Sequence, residues 1–167
     1  MSGMAGPAPR TRSRDLLGLG AFVLLCLGIS AFGGWVTSGS VDTWYQALQK
    51  PPFNPPDWLF APVWTLLYLM IALSGWRVWR SPAHAGRRAA MTAYAAQLAL
   101  NLAWSVVFFG GRMIGLALAV ILLLLAAIIV NAALFSRADR LAAWLLAPYA
   151  AWVAFAALLN FALWRLN

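Results

Sequence analysis

Long apolar stretches dominate the chain and predict its architecture. Five of them, residues 16–36, 58–76, 89–109, 114–135 and 141–164, contain no Asp, Glu, Lys, Arg or His. A helix needs roughly 20 apolar residues to cross a bilayer, because a hydrocarbon core of about 30 Å is climbed at about 1.5 Å per residue. The runs are continuous and do not alternate as strands of a membrane barrel do. We therefore predict an all-α membrane protein, a five-transmembrane-helix bundle at residues 16–167 behind a basic tail at residues 1–15.

Composition agrees with a lipid environment. Of the 167 residues, 63% are hydrophobic and 10% are charged, whereas about a quarter of a soluble domain is charged. The net charge of +8 is compatible with nucleic acid binding, but the arginines flank the apolar runs instead of lining one face. Attraction to anionic headgroups explains this distribution better. We expect membrane lipid as a partner and no nucleic acid.

The basic residues also predict an orientation. Nine of twelve lie in the N-terminal tail, in the connection between the second and third runs, or in that between the fourth and fifth, all on one side of a five-span protein. The other three are Lys50, Arg112 and Arg165. The positive-inside rule predicts a cytoplasmic N-terminus and an outside C-terminus. Because the spans are apolar helices, we expect a multi-pass protein of the cell membrane. The first run is too long for the apolar region of a usual signal peptide, so we expect it to be retained.

Residues 37–57 form the one long predicted connection. Its second half is stiffened by four prolines, Pro51, Pro52, Pro55 and Pro56. We expect Asn54 or Asp57 to cap the second helix, and Trp58 to lie at the depth of the interfacial aromatic belt. Two interpretations stay open for this segment: an ordinary connecting loop, or a lid over the bundle.

Polar and aromatic side chains recur at helical spacing in three of the runs. The third run contains Gln97, Asn101, Trp104, Ser105 and Phe108. The fifth run contains Tyr149, Trp152, Ala156 and Asn160, and the second contains Trp64, Thr65 and Tyr68. The sets of the third and fifth runs each fall on one helical face, as do Trp64 and Tyr68 of the second. A side-chain amide in hydrocarbon is costly without a partner, so we predict that these faces point into the bundle.

Two explanations of these stripes stay open. Amides can simply join helices, at about 0.5–2 kcal/mol per contact. Alternatively, the ten tryptophans, several of them mid-span, can form a pocket wall with small residues such as Ala156 and Gly75 opposite, as in small-molecule sites. Small residues spaced four apart, such as Ser30 and Gly34 in the first run and Gly115 in the fourth, predict close helix approach, within the bundle or between copies.

Other features narrow the chemistry. Pro148 predicts a kink near the start of the fifth helix, because proline lacks the N–H that the helix requires. Cys26 is the single cysteine, so neither a disulfide nor a thiolate metal site is expected. The single histidine, His84, lies in a connection, which argues against coordination of haem iron. The spans offer no acid–base pair and no ionisable group for active coupling.

Three segments carry a family resemblance: WYQALQKPPFNPPDWLFAPVWTLLY, QLALNLAWSVVFF and PYAAWVAFAALLN, in this order. They resemble the tryptophan-rich sensory protein / translocator protein family (TspO/MBR, peripheral-type benzodiazepine receptors), over about residues 16–167. Phe161 stands where animal members have a tyrosine, and Leu116 where they have a tryptophan. Both departures indicate a bacterial-type member, and Phe161 also argues against cholesterol as the natural ligand.

The resemblance implies a five-helix bundle, commonly a homodimer, whose pocket is closed by the first loop and binds porphyrins such as protoporphyrin IX. The family's pocket motifs fall on Tyr45, Trp58, Trp64, Asn101, Trp104, Trp152 and Ala156. With the stripe residues Tyr68, Gln97 and Tyr149, these make up the expected ligand-binding set. We expect a sensory or regulatory protein that binds tetrapyrroles and other hydrophobic ligands and requires no cofactor. The alternatives are light- or oxygen-dependent porphyrin degradation, or passive translocation of porphyrin or lipid.

Overall fold

The structure is a computed structural model that describes residues 12–82 and 86–167. Within these residues lie six α-helices: α1 (Arg12–Ser40), α2 (Phe60–Arg80), α3 (Arg87–Ser105), α4 (Ile114–Ser136), α5 (Arg140–Leu145) and α6 (Ala147–Leu166). π-Helical turns extend α1 through Val41–Tyr45 and α3 through Val106–Gly110, and a 3-10 turn at Asp57–Leu59 leads into α2. Most of the predicted basic tail, with Arg10, and the histidine His84 lie outside the described residues.

Five helical stretches are long and apolar enough to cross a membrane, with α5 and α6 together making the fifth. The predicted all-α architecture is confirmed. The boundaries of the first span differ, since it runs from Arg12 to Tyr45 and includes residues 37–45, which we expected in a loop. These residues contain no proline, and their hydroxyls bond within the structure: Thr37 Oγ1 donates to the carbonyl of Gly33 at 2.8 Å, and Ser40 Oγ to that of Phe109 at 2.8 Å.

The predicted interruption near Pro148 is confirmed. α5 ends at Leu145, α6 begins at Ala147, and Pro148 occupies the first turn of α6. The amide of Leu146 donates to the carbonyl of Ala143 at 3.1 Å, which closes α5 with a tight turn. Pro148 has no N–H to continue the α-helical ladder across this point, and a first turn is where proline is tolerated.

α1 lies at the periphery of the bundle. Along its most apolar stretch 6% of the residues are buried, against 28% to 33% in the other four spans. Large apolar side chains such as Leu17, Leu24 and Trp35 are exposed there, as expected of a lipid-facing surface. The core is formed mainly by α2, α3, α4 and α6. Of the five spans, α1 therefore has the largest share of its residues at the surface of the bundle.

The described arginine-rich connections lie at one end of the bundle, which we call the arginine-rich end. The Arg77 guanidinium of α2 lies 2.8 Å from the Asp139 carboxylate before α5. Asp139 Oδ1 also accepts from the amides of Leu141 and Ala142 at 2.9 and 3.1 Å, which caps α5. Burial alone would raise the pKa of this carboxyl, but the bonds from Ala142, Arg77 and Leu141 outweigh it and lower that pKa.

Gly75 and Gly115 are among the glycines that allow close helix approach. A Cβ added at Gly75 would lie 2.6 Å from Tyr94 Cζ and 2.9 Å from Phe22 Cε1, and one at Gly115 would lie 3.0 Å from Trp164 Nε1. Close approach between helices at Gly115 is therefore as predicted. The expectation that Gly75 forms part of a pocket wall is wrong, because rings of α1 and α3 already occupy the space beside it.

Candidate functional site

A hydrogen-bonded layer of polar side chains crosses the centre of the bundle. The Tyr68 hydroxyl donates to Asn101 Oδ1 at 2.6 Å, and Asn101 Nδ2 donates to the Tyr149 hydroxyl at 2.9 Å. All three side chains are buried. The layer joins α2, α3 and α6, so the prediction that the three polar stripes face the interior and converge is confirmed at Tyr68, Asn101 and Tyr149. It is wrong for Thr65, which is exposed. For Asn101, the helix-joining explanation of its amide is correct.

A second polar contact lies one turn further along α3. Trp104 Nε1 donates to Asn160 Oδ1 at 3.1 Å, and Asn160 Nδ2 donates to the carbonyl of Ile114 at 2.9 Å. Both ends of the Asn160 amide are therefore bonded inside the bundle, as burial in a lipid environment requires. This contact fixes the Trp104 indole and ties α3, α6 and the start of α4 together.

Between these contacts and the α1–α2 connection lies a cavity of about 400 Å³. Side chains from α1, α2, α3 with its π-helical turn, and α6 line it. Tyr68 and Asn101 form its floor, and Ala156, Leu159 and Asn160 form the α6 wall. Its size falls within the range of about 300–1,000 Å³ that is usual for small-molecule sites, and the few polar points in an apolar lining are typical of them.

Aromatic rings form two walls of the cavity. On α3, the rings of Trp104 and Phe108 are stacked with centroids 5.4 Å apart, and Phe109 lies 4.8 Å from Phe108. On α2, the Trp64 ring lies 5.8 Å from Tyr68. Flat rings at these separations present broad apolar faces at little entropic cost on binding. The arrangement suits a planar hydrophobic ligand.

The α1 wall is built from small side chains, and sequence reasoning did not include it in the site. Ser30, Gly33, Gly34 and Thr37 line the cavity. A Cβ added at Gly34 would meet no atom within 4 Å. Within the chain, the cavity therefore lies beside Ser30 and Gly34 instead of a closely packed helix, and close approach between copies at these residues stays a prediction. The spacing of small residues was the only signal in the sequence for this wall.

The cavity is partly open on one side. Its lining residues Gly34 of α1, and Ala61 and Thr65 of α2, are exposed at the surface of the bundle. The opening thus lies between α1 and α2, on the side of the molecule where apolar side chains are most exposed. A ligand in the cavity could extend through this opening towards the bilayer.

The α1–α2 loop (residues 46–56) is bonded across one end of the cavity, which we call the loop end. The Tyr45 hydroxyl donates to Asn54 Oδ1 at 2.9 Å, and Gln46 Nε2 donates to Asp57 Oδ2 at 2.7 Å. The predicted capping of the second helix by Asn54 or Asp57 is wrong, since neither side chain caps it. Asn54 instead accepts from Tyr45, the last residue of the first span, and Asp57 from Gln46, the residue that follows it. These bonds hold the loop in the position that a lid would need.

Six of the ten predicted ligand-binding residues line the cavity: Tyr45, Trp64, Tyr68, Asn101, Trp104 and Ala156. The other four lie outside its lining. The Trp58 side chain is 72% exposed, and Tyr149 is fully buried behind Asn101. Gln97 is fully buried, and among the described residues its amide has no partner. Trp152 packs with its ring centroid 6.0 Å from Phe60, which does line the cavity.

Among residues 12–82 and 86–167, no group of three or more His, Cys, Asp or Glu side chains could hold a metal ion. Cys26 is buried, and its Sγ lies 3.3 Å from the Tyr94 hydroxyl. Neither residue lines the cavity. The described residues that line the cavity offer aromatic rings, hydroxyls, amides and, at its edge, the carboxylate of Asp57, groups that recognise ligands by shape, hydrogen bonding and charge.

Fold and site together define a class: a five-span membrane protein with an aromatic internal cavity under a proline-rich loop. Residues 22–165 match the TspO/MBR family. A translocator protein of Bos taurus is 39% identical over 137 residues, which cover 81% of this chain and 81% of the relative. A tryptophan-rich protein TspO of Archaeoglobus fulgidus is 39% identical over 153 residues, covering 92% of this chain and 99% of the relative.

A bacterial relative agrees with these two. The tryptophan-rich sensory protein of Cereibacter sphaeroides is 38% identical over 142 residues, which cover 83% of this chain and 88% of the relative. The match to the family extends over nearly all of the described chain. The chain belongs to the TspO/MBR family and is a multi-pass integral membrane protein.

Proposed function

We propose that the protein binds planar hydrophobic ligands of the tetrapyrrole class in the cavity, with protoporphyrin IX as the representative, and that it acts as a sensory or regulatory binding protein. The observation that carries this proposal is the combination of stacked rings on α3, a tryptophan on α2 and an amide–hydroxyl floor in an otherwise apolar cavity. A flat ring system would contact the aromatic walls, and its polar atoms would meet Asn101 and Tyr68.

The opening between α1 and α2 supports a ligand larger than a single aromatic ring. A cavity of about 400 Å³ can enclose part of a macrocycle while one edge extends through the opening. Binding would require no cofactor, since rings, hydroxyls and amides are sufficient for recognition. Membrane lipid would cover the exposed edge of such a ligand.

Fluorescence titration in the dark tests the proposal. Protoporphyrin IX is added to purified protein in neutral detergent while tryptophan fluorescence is followed. The phenylalanine ring in Ala156→Phe fills the cavity. The affinity of this variant for protoporphyrin IX should therefore be lower by at least about tenfold, or ~1.4 kcal/mol. Trp64→Leu removes a wall and should also weaken binding. Trp144→Leu is the matched control, because Trp144 is 73% exposed and lies outside this cavity. Equal affinity in all four proteins would rule out the cavity as the binding site.

Passive translocation is the second candidate, and the opening between α1 and α2 favours it. A ligand that reaches the cavity from the bilayer can return to it on the same path without any coupled ion. Reconstituted vesicles test this: porphyrin equilibration between two vesicle populations should be faster with the protein than without it.

The same samples, kept in darkness or in light, test degradation of the porphyrin. Product formed in darkness would favour an enzyme, and product formed only in light would indicate photochemistry of the ligand.

A further inference from the structure

The cavity has one charged side chain in its described lining, that of Asp57. Asp57 begins the 3-10 turn that precedes α2 and is exposed at the loop end of the cavity. A single carboxylate therefore stands at the edge of a lining that is otherwise aromatic, aliphatic, hydroxyl or amide.

The position of this carboxylate is fixed by the structure. Gln46 Nε2 donates to Asp57 Oδ2 at 2.7 Å, and Gln46 directly follows the π-helical turn that ends the first span. Among the described residues, the ion pair that the structure shows is Arg77–Asp139, at the opposite end of the bundle. The side-chain partner that the structure shows for the Asp57 carboxylate at the loop end is thus a neutral amide.

Cations at the loop end do not enter the cavity. Lys50 Nζ donates to the carbonyls of Gln46 and Leu48 at 3.1 and 3.4 Å and lies 4.9 Å from the centroid of the Tyr45 ring. Arg112 and Arg165 are exposed, and none of these three residues belongs to the described lining. The described lining therefore carries a formal charge of minus one with no compensating cation.

We propose that Asp57 makes the cavity discriminate between ligands by charge: it favours planar ligands that are neutral or cationic at the edge facing the loop end, and disfavours those with carboxylates there. The inference rests on the proposed function and adds to it a residue that determines specificity. Like charges a few ångströms apart near a protein surface repel appreciably, although salt screens them. We expect the effect on affinity to be about tenfold at low ionic strength.

Three porphyrins with the same ring system test this inference in neutral detergent, without charged lipid. They are protoporphyrin IX, its neutral dimethyl ester, and a derivative in which both propionates are amides ending in trimethylammonium groups. The wild-type protein should bind the ester and the cationic derivative more tightly than the free acid. In Asp57→Asn this preference should fall by about tenfold at low ionic strength. Asparagine can still accept the bond from Gln46, so the loop stays attached.

Asp42→Asn is the matched control. Asp42 is an exposed carboxylate in the π-helical turn at the end of the first span, and it does not line the cavity. The substitution changes the net charge by the same amount as Asp57→Asn and should leave the order of affinities unchanged. Added salt should reduce the preference in the wild-type protein and have little effect in Asp57→Asn.

The outcomes separate the inference from the function on which it rests. If the dimethyl ester binds, but the ratio of affinities is the same in the wild-type protein and Asp57→Asn, charge selection by Asp57 is refuted and tetrapyrrole binding stands. An equal change in Asp42→Asn would also refute it, because a long-range effect of net charge would then suffice. If none of the three porphyrins binds the wild-type protein, both the function and the inference are overturned.

Discussion

Two amides one helical turn apart on α3 have opposite surroundings. Asn101 accepts from Tyr68 and donates to Tyr149, at 2.6 and 2.9 Å. Gln97, four residues earlier, is fully buried, and neither of its amide atoms has a partner among the described residues. We therefore expect the two amides to differ in their effect on stability. Removing that of Asn101 leaves two buried hydroxyls unpaired, whereas removing that of Gln97 leaves none.

Asn101→Leu should destabilise the protein. The substitution leaves the hydroxyls of Tyr68 and Tyr149 without their shared partner, and each unpaired buried group costs about 1–3 kcal/mol. We expect a clear fall in the midpoint of thermal unfolding in detergent, together with weaker porphyrin binding because the floor of the cavity changes. An unchanged midpoint would mean that the polar layer contributes nothing to holding α2, α3 and α6 together.

Gln97→Leu should be neutral or stabilising in the same assay. The leucine side chain has a similar volume and removes two buried polar atoms that lack a protein partner, at a gain of up to about 1–3 kcal/mol. The thermal midpoint should equal or exceed that of the wild-type protein. A fall as large as that of Asn101→Leu would contradict this prediction and would show that the Gln97 amide is hydrogen-bonded.

At the scale of the helices, Gly75 marks a close approach of α2 to side chains of α1 and α3. Gly75→Ala should destabilise the bundle, because the new Cβ would lie 2.6 Å from the Tyr94 ring and 2.9 Å from the Phe22 ring. Overpacking of this kind costs typically about 1–3 kcal/mol. Thermal unfolding of the purified protein measures the effect.

Gly28→Ala is the control for that substitution. A Cβ added at Gly28 would meet no atom within 4 Å, and both variants gain the same helix propensity of about 1 kcal/mol. Gly28→Ala should therefore unfold at or above the wild-type temperature. If the two variants unfold at the same temperature, the contact of Gly75 with the rings does not limit the packing of α2.

At the scale of the whole molecule, Asp139 makes stability depend on acid pH. Its folded-state pKa is lowered below the ordinary value of 3.8, so its contribution to stability is present above that value and is lost as the pH falls through the folded-state pKa. The thermal midpoint should fall below about pH 4. In Asp139→Asn the midpoint at neutral pH should be lower and this acid-dependent step smaller; an identical pH profile would contradict the assignment.

The distribution of arginines predicts how the bundle lies in the membrane. Trp76 Nε1 donates to the carbonyl of Asp15 at 2.9 Å, and Arg77 pairs with Asp139, so the start of α1, the end of α2 and the start of α5 share one end. We expect this arginine-rich end to lie on the cytoplasmic side of the cell membrane. In a Cys26→Ser background, Arg137→Cys should react with an impermeant maleimide in inverted vesicles only, and Asp42→Cys in right-side-out vesicles only. The reverse pattern would overturn the orientation.

The sequence by itself determined the five spans and the inward direction of the polar stripes. Both follow from local requirements: a span needs about 20 apolar residues, and an amide in hydrocarbon must find a partner. Asn101 and Gln97 satisfy the same pattern, so periodicity placed both on the inner face correctly. It could not distinguish the amide that lies on the floor of the cavity from the one that lies outside its lining.

Only the tertiary structure decided which residues surround the cavity. Tyr68 is 33 residues from Asn101 in the chain, and Asn101 is 48 from Tyr149. The open space beside Gly34 and the absence of a cation from the described lining around Asp57 depend on such distant neighbours. A pattern along one helix specifies the face that a residue occupies. The partner across that face is specified by the packing of the other helices, because burial and hydrogen bonding are properties of the assembled bundle.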